Sequence, residues 1–170
     1  ALEHAQSMRA VGPVETVFFG GGTPSLMPPE LIADLLADID RRWGLAAKAE
    51  ISLEANPVSA PEARLQALKA AGINRLSLGV QAFEVGALKF LGRTHSVEQA
   101  EAAFVAARGI FGRASLDLIY ARPEQTLAGW ARELEYALAL EPTHMSLYQL
   151  TIEPDTPFFK RLAAGKFEMP

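Results

Sequence analysis

The sequence contains no cysteine. Disulfides and thiolate metal sites are therefore excluded within these 170 residues, although the absence fixes no compartment. Basic side chains are in the minority, 16 Lys and Arg against 20 Asp and Glu, and the net charge of -4 disfavours a nucleic-acid partner. No apolar run approaches the ~20 residues of a membrane span. The opening ALEHAQSMRAVG lacks the basic-then-apolar layout of a secretory signal and reads as the tail of a helix. The expectation is a cytoplasmic protein, without a transmembrane segment, whose chain enters mid-fold. Linkers and low-complexity tracts are also missing, so residues 1–170 read as a single domain with a sizeable core.

What is present is an alternation. Five short apolar runs, at 14–19, 50–55, 75–80, 114–120 and 144–150, predict strands. Helical patterns lie between them. Residues 28–43 open on prolines and carry Leu31, Leu35, Leu36 and Ile39 as a stripe. Residues 59–72 begin with Ser59 and Glu62 at capping-box spacing and stop at Gly72, and 96–112 repeat the plan with Ser96 and Gln99. Residues 126–140 follow, and Thr156-Pro157 opens a last short helix ending near Gly165. Strands alternating with helices predict right-handed βαβ units and a parallel sheet.

Four strands carry a Ser-Leu pair in register: Ser52-Leu53, Ser77-Leu78, Ser115-Leu116 and Ser146-Leu147. Alternation puts the serines on one face with Glu54, Gly79, Asp117 and Tyr148. A doubly wound sheet buries both faces under helices and wants both greasy. A small, polar face suits the interior of a barrel instead, so the pattern favours a partial, TIM-like α/β barrel. A complete eight-fold barrel takes ~250 residues. Five strands leave the barrel partial, with 14–19 as a bare hydrophobic edge of the kind proteins avoid, and a strand is expected upstream.

Chemistry in parallel β/α folds gathers at the C-terminal strand ends. Here those ends lead to Gly20-Gly21-Gly22-Thr23, Glu54 with Asn56, Gln81, Asp117, and Gln149 with Thr151. Each alone has an ordinary explanation as a turn cap or loop bond; five together point to a shared rim. Bare glycine backbone can approach a ligand closely and take angles other residues avoid. A phosphate loop is the rival, but neither G-x-G-x-x-G nor Gly-Lys-Ser/Thr is present, and the next helix starts several residues later. A tight strand exit would need only one or two glycines. Arg93, in LGRTHS, is either a solvated arginine or a bidentate carboxylate holder. Two carboxylates, one guanidinium, amides and bare backbone suit a zwitterion with an amine, a carboxylate and a ribose diol.

The stretches FFGGGTPS, ISLEANP, GINRLSLGVQAF, LGRTHS, LDLIYARPEQT and HMSLYQLTIEPDTPF together resemble the radical S-adenosylmethionine superfamily. More narrowly they resemble the oxygen-independent coproporphyrinogen III oxidase family and its heme-chaperone relatives, with LGRTH and SLYQLTIEP siding with the chaperones. The resemblance implies a partial (β/α)6 barrel of which strands two to six are present, the first strand and its cluster loop being absent. It implies that Gly21, Gly22 and Thr23 meet the amino end of S-adenosylmethionine, that Glu54, Gln81 and Asp117 contact its polar groups, and that Arg93 takes its carboxylate. In the family a Cys-x-x-x-Cys-x-x-Cys loop holds a [4Fe–4S] cluster that cleaves S-adenosylmethionine to a radical. With no cysteine here, the chain is expected to be a fragment, inactive alone and without a metal ligand of its own.

The family pattern Gly-Leu-Pro-Gly-Gln-Thr is replaced by Ala121-Arg122-Pro123-Glu124-Gln125-Thr126. If the first glycine position needs positive φ, Ala121 is strained by ~1 kcal/mol or more. The implied function is a heme chaperone that binds heme or porphyrin and passes it to acceptor proteins, with a homodimer as the expected assembly; the alternative is coproporphyrinogen III decarboxylation. Among His4, His95 and His144, His95 is the candidate axial heme ligand, against a loop hydrogen bond. A third reading, an aldolase-like barrel using Glu54 and Asp117 for acid–base work, is disfavoured because no strand carries a lysine, Lys69 and Lys89 falling in helices.

Overall fold

The structure, a computed structural model, describes residues 12–170. The expected helix tail and His4 lie outside the described residues. Five strands, β1 (Val14–Phe19), β2 (Leu45–Ala55), β3 (Arg75–Gln81), β4 (Ala114–Tyr120) and β5 (His144–Gln149), form one sheet in chain order, every pair parallel. The helices are α1 (Pro29–Trp43), α2 (Glu62–Ala70), α3 (Val85–Phe90), α4 (Val97–Phe111), α5 (Leu127–Ala139) and α6 (Pro157–Ala163). The result is an α/β half-barrel, a curled partial TIM-like sheet with helices on its outer side.

Local chemistry explains most boundaries. Ser96 and Gln99 form the expected reciprocal cap on α4, with the Gln99 amide donating to Ser96 Oγ at 3.2 Å and the Ser96 amide to Gln99 Oε1 at 2.9 Å. Thr126 and Thr156 cap α5 and α6 in one direction only, their Oγ1 atoms accepting the Gly129 and Phe159 amides at 3.0 and 3.1 Å. Three expectations are corrected. Ser59 does not start α2: it closes a 3-10 turn, Pro57–Ser59, by accepting from the Asn56 amide at 3.2 Å. The buried stripe of α1 runs through Ile32 and Leu36, whereas Leu31 is 45% exposed. And β2 begins at Leu45, so Lys48 does lie on a strand, exposed in its first half and far from the rim.

The leucine face packs beneath the helices. Leu53, Leu76, Leu78, Leu116 and Leu118 are fully buried against Leu65, Leu68, Ile73 and Phe104. The serine face is interior and polar, but the four serines are not level. Ser77 sits opposite Ser115, whereas Ser52 faces Arg75 and Ser146 faces Asp117. The repeat slips by two residues at β2–β3 and at β4–β5. Such stagger is what a tilted, closing sheet requires, so the equal motif positions do not mean equal height.

Candidate functional site

At the C-terminal ends of the strands lies an open cavity of about 280 Å³. Gly22, Thr23, Glu54, Gln81, Arg93 and Asp117 line it, with Tyr148, Asn56 and Gly79 completing the wall. Gly21 adjoins it: its amide donates to Glu54 Oε2 at 3.0 Å. Gly22, Thr23, Glu54, Asn56, Gln81 and Asp117 are thus gathered at one mouth, whereas Gln149 and Thr151, singled out at the end of the fifth strand, do not line it and Tyr148 does instead.

Each arrives by a local device. Gly21 and Gly22 have φ of +83° and +62°, the left-handed region that bends the chain out of β1 without a side-chain penalty. The bend lets the Gly21 amide reach the Glu54 carboxylate on the neighbouring strand. Asp117 is half-buried on the inner face of β4 and accepts from Ser77 Oγ at 2.9 Å. Burial pushes its carboxyl pKa upward and nearby Glu54 adds to the rise; hydrogen bonds from Ser77 and Ser146 oppose it. Arg93 stands at the mouth and makes no ion pair with any described residue. Partial desolvation lowers its pKa, but a guanidinium remains charged. An anion entering the cavity therefore meets a cation with no competing carboxylate attached.

Gln81 carries a feature the sequence did not announce. It is a non-glycine residue at φ +73°, after an irregular step in the β3–β4 ladder between Leu78 and Gln81. Its amide folds back over Gly79, where an added Cβ would meet Gln81 Nε2 at 2.8 Å. A bare residue two places earlier is the only trace of this in the sequence.

Two further expectations are settled, one by a side chain and one by the backbone. His95 does not open onto the cavity. It is 5% exposed, and its Nε2 lies 2.9 Å from the Val80 carbonyl oxygen. That loop hydrogen bond is the outcome found, and the axial-ligand role is set aside. Ala121 and Glu124, which replace the two family glycines, have φ of +55° and +62°. Both are left-handed, so the loop keeps the glycine-type backbone without glycine. No group of three or more His, Cys, Asp or Glu is placed to hold a metal among the described residues.

The radical SAM superfamily profile matches residues 1–137. The chain belongs to the radical SAM superfamily. It is 45% identical over 158 residues to the mitochondrial radical S-adenosyl methionine domain-containing protein 1 of Mus musculus, covering 92% of this chain and 36% of that protein. It is also 45% identical over 159 residues to heme chaperone HemW of Synechocystis, covering 93% and 39%. The solved coproporphyrinogen III oxidase HemN of Escherichia coli superposes with a TM-score of 0.80 at 30% identity, over 99% of this chain and 39% of that one. These proteins place the sequence in the HemN-like family, on the heme-chaperone side. The chain spans well under half the length of each.

Proposed function

We propose that this chain is the S-adenosylmethionine-binding half-barrel domain of a radical SAM heme chaperone acting in the cytoplasm. One observation carries the cofactor reading: an unpaired arginine, two carboxylates and a left-handed glycine turn share a single cavity. The donor set fits the ligand. Arg93 would take the methionine carboxylate in a bidentate bond. Glu54 and Asp117 would accept from the ammonium and the ribose hydroxyls, and the Gly22–Thr23 backbone would approach the amino end. Gln81 would offer its amide from above Gly79. The cluster is a different case. Its thiolate ligands are not among these 170 residues, so these residues do not fit it. In the family the cluster supplies the electron that cleaves the cofactor; the residues described here bind and orient the cofactor only.

Identity at the 45% level with a heme chaperone supports heme as cargo; delivery to an acceptor protein, by a homodimer, extends the same proposal. Calorimetric titration with S-adenosylmethionine tests the pocket. Saturable binding that Gly22→Val weakens by ~1–3 kcal/mol is expected; equal affinity in wild type and variant would remove the assignment. Titrating the protein with heme tests the cargo, and a Soret band without saturable change would end the chaperone reading. The HemN superposition supports coproporphyrinogen decarboxylation as the second reading. Protoporphyrinogen formed by a cluster-bearing form, with dithionite and S-adenosylmethionine, would favour it over the first.

A further inference from the structure

Apart from the residues that line the cavity, Arg122 and Glu133 form an ion pair whose side chains are only 5% and 7% exposed. Both guanidinium nitrogens engage the carboxylate, Nη1 donating to Oε1 at 3.2 Å and Nη2 to Oε2. Such a buried pair seldom improves on an apolar substitute of similar shape, so its presence calls for another role. Its remaining partners suggest one. Glu133 Oε1 also accepts the Phe83 backbone amide at 2.8 Å, two residues after Gln81. Gln125 Nε2 donates to Glu133 Oε2 at 3.4 Å, while the Arg122 amide donates to Gln125 Oε1 at 3.3 Å. One carboxylate therefore ties together the exit of β3, the loop after β4 and helix α5. One turn further along α5, the Tyr136 ring packs on Phe83 with centroids 4.9 Å apart.

The segments tied down carry three of the five left-handed non-glycine residues among the described residues. Gln81, Ala121 and Glu124 all have positive φ. Non-glycine residues stay in that region only where surrounding contacts fix them. We propose that Arg122 and Glu133 are positioning residues: Glu133 clamps the Phe83 amide, Arg122 orients Glu133 through its two-pronged contact, and the clamp keeps Gln81 in its left-handed, cavity-facing conformation. Resting on the cofactor reading above, the pair thereby sets affinity for S-adenosylmethionine without touching it. The clamp is backbone-directed, so what it requires at position 133 is an acceptor for one N–H. The charge serves to make that acceptor strong and to fix its direction through the bidentate fork.

The test uses two double variants, because removing one partner alone would strand a buried charge and destabilise the whole fold. Arg122→Leu/Glu133→Leu removes both charges and the acceptor. Arg122→Leu/Glu133→Gln removes both charges but keeps a carbonyl for Phe83. Amide exchange at Phe83 and calorimetry with S-adenosylmethionine are read on both. The leucine pair is expected to speed Phe83 exchange about a hundredfold and to weaken binding about tenfold, with little change in the thermal midpoint. The glutamine variant is expected to recover both readouts to within about threefold of wild type. Unchanged Phe83 exchange in the leucine pair overturns the clamp, as does failure of the glutamine variant to rescue. Absence of binding in wild type sinks the cofactor reading instead, and Phe83 exchange still decides whether the clamp exists.

Discussion

At the N-terminal ends of the strands, Glu50 receives Arg75 at 3.0 Å, Arg113 at 3.2 Å and Ser52 at 3.1 Å. Asn74 closes the set, accepting from Arg113 at 2.7 Å and donating to the Ala49 carbonyl at 2.8 Å. At the C-terminal ends, Glu54 and Asp117 share a cavity with Arg93, and neither pairs with it. The same residue types build both ends. Desolvation would raise the Glu50 pKa, but the hydrogen bonds and charge of Arg75, helped by Ser52 and Arg113, outweigh it and hold the carboxyl below its ordinary value. Burial and Glu54 raise that of Asp117. Polar groups that have found each other stabilise the fold; polar groups kept apart are free to bind something else.

That contrast can be broken at several points. The largest effect belongs to the partnered class. Arg122→Ala, which strands a buried carboxylate, should cost ~3–5 kcal/mol of stability by chemical denaturation. A loss below 1 kcal/mol would mean the pair is dispensable. Next comes the open class. Arg93→Ala should weaken S-adenosylmethionine binding by ~2–3 kcal/mol while leaving the denaturation midpoint unchanged. A matching loss of stability would make Arg93 structural.

The two carboxylates should then separate by pH. A carboxyl whose folded pKa is depressed stabilises the fold above its unfolded pKa and loses that stability as pH falls through the folded value. Glu50→Gln should therefore cost about 1 kcal/mol at neutral pH, and the deficit should shrink toward acid. Asp117 has the opposite sign: ionisation is the costly form in the fold. Asp117→Asn should raise stability by about 0.5 kcal/mol at neutral pH, an advantage lost on acidification, while cofactor affinity falls. Thermal melts from neutral to acidic pH read both, and parallel curves would show that the two ends are not distinct. A gain of similar size, about 0.5–1 kcal/mol, is expected for Ala121→Gly, through relief of its left-handed backbone. A loss would show the loop conformation to be unstrained.

Much of this was legible beforehand, for reasons that differ by residue. Strand β3 reads directly as RLSLGVQ because its leucines must face the helices and its serine the interior. The triple glycine signals a left-handed exit because few other residues make one cheaply. Local patterns carry this information. The first half of β2 does not read as a strand: LAAK has no alternation, and of its four residues only Leu45 registers with β1, opposite Val14, before the ladder shifts and resumes at Glu50. The two-residue slips are a property of sheet curvature, which no single strand encodes. Glu133 was equally hidden, since a glutamate in WARELEY looks like any solvated helix position until Arg122 and the Phe83 amide are brought to it.

Because the strands lie side by side in the order of the chain, each βα unit needs only the neighbour that precedes it. No strand must wait for a distant segment to be inserted between two earlier ones. Sequence-local pairing of this kind lowers the loop-closure entropy of each step. A half-barrel so threaded can assemble progressively while the ribosome is still extending it, with the Gly22 turn and Glu54 in place before Asp117 has been translated.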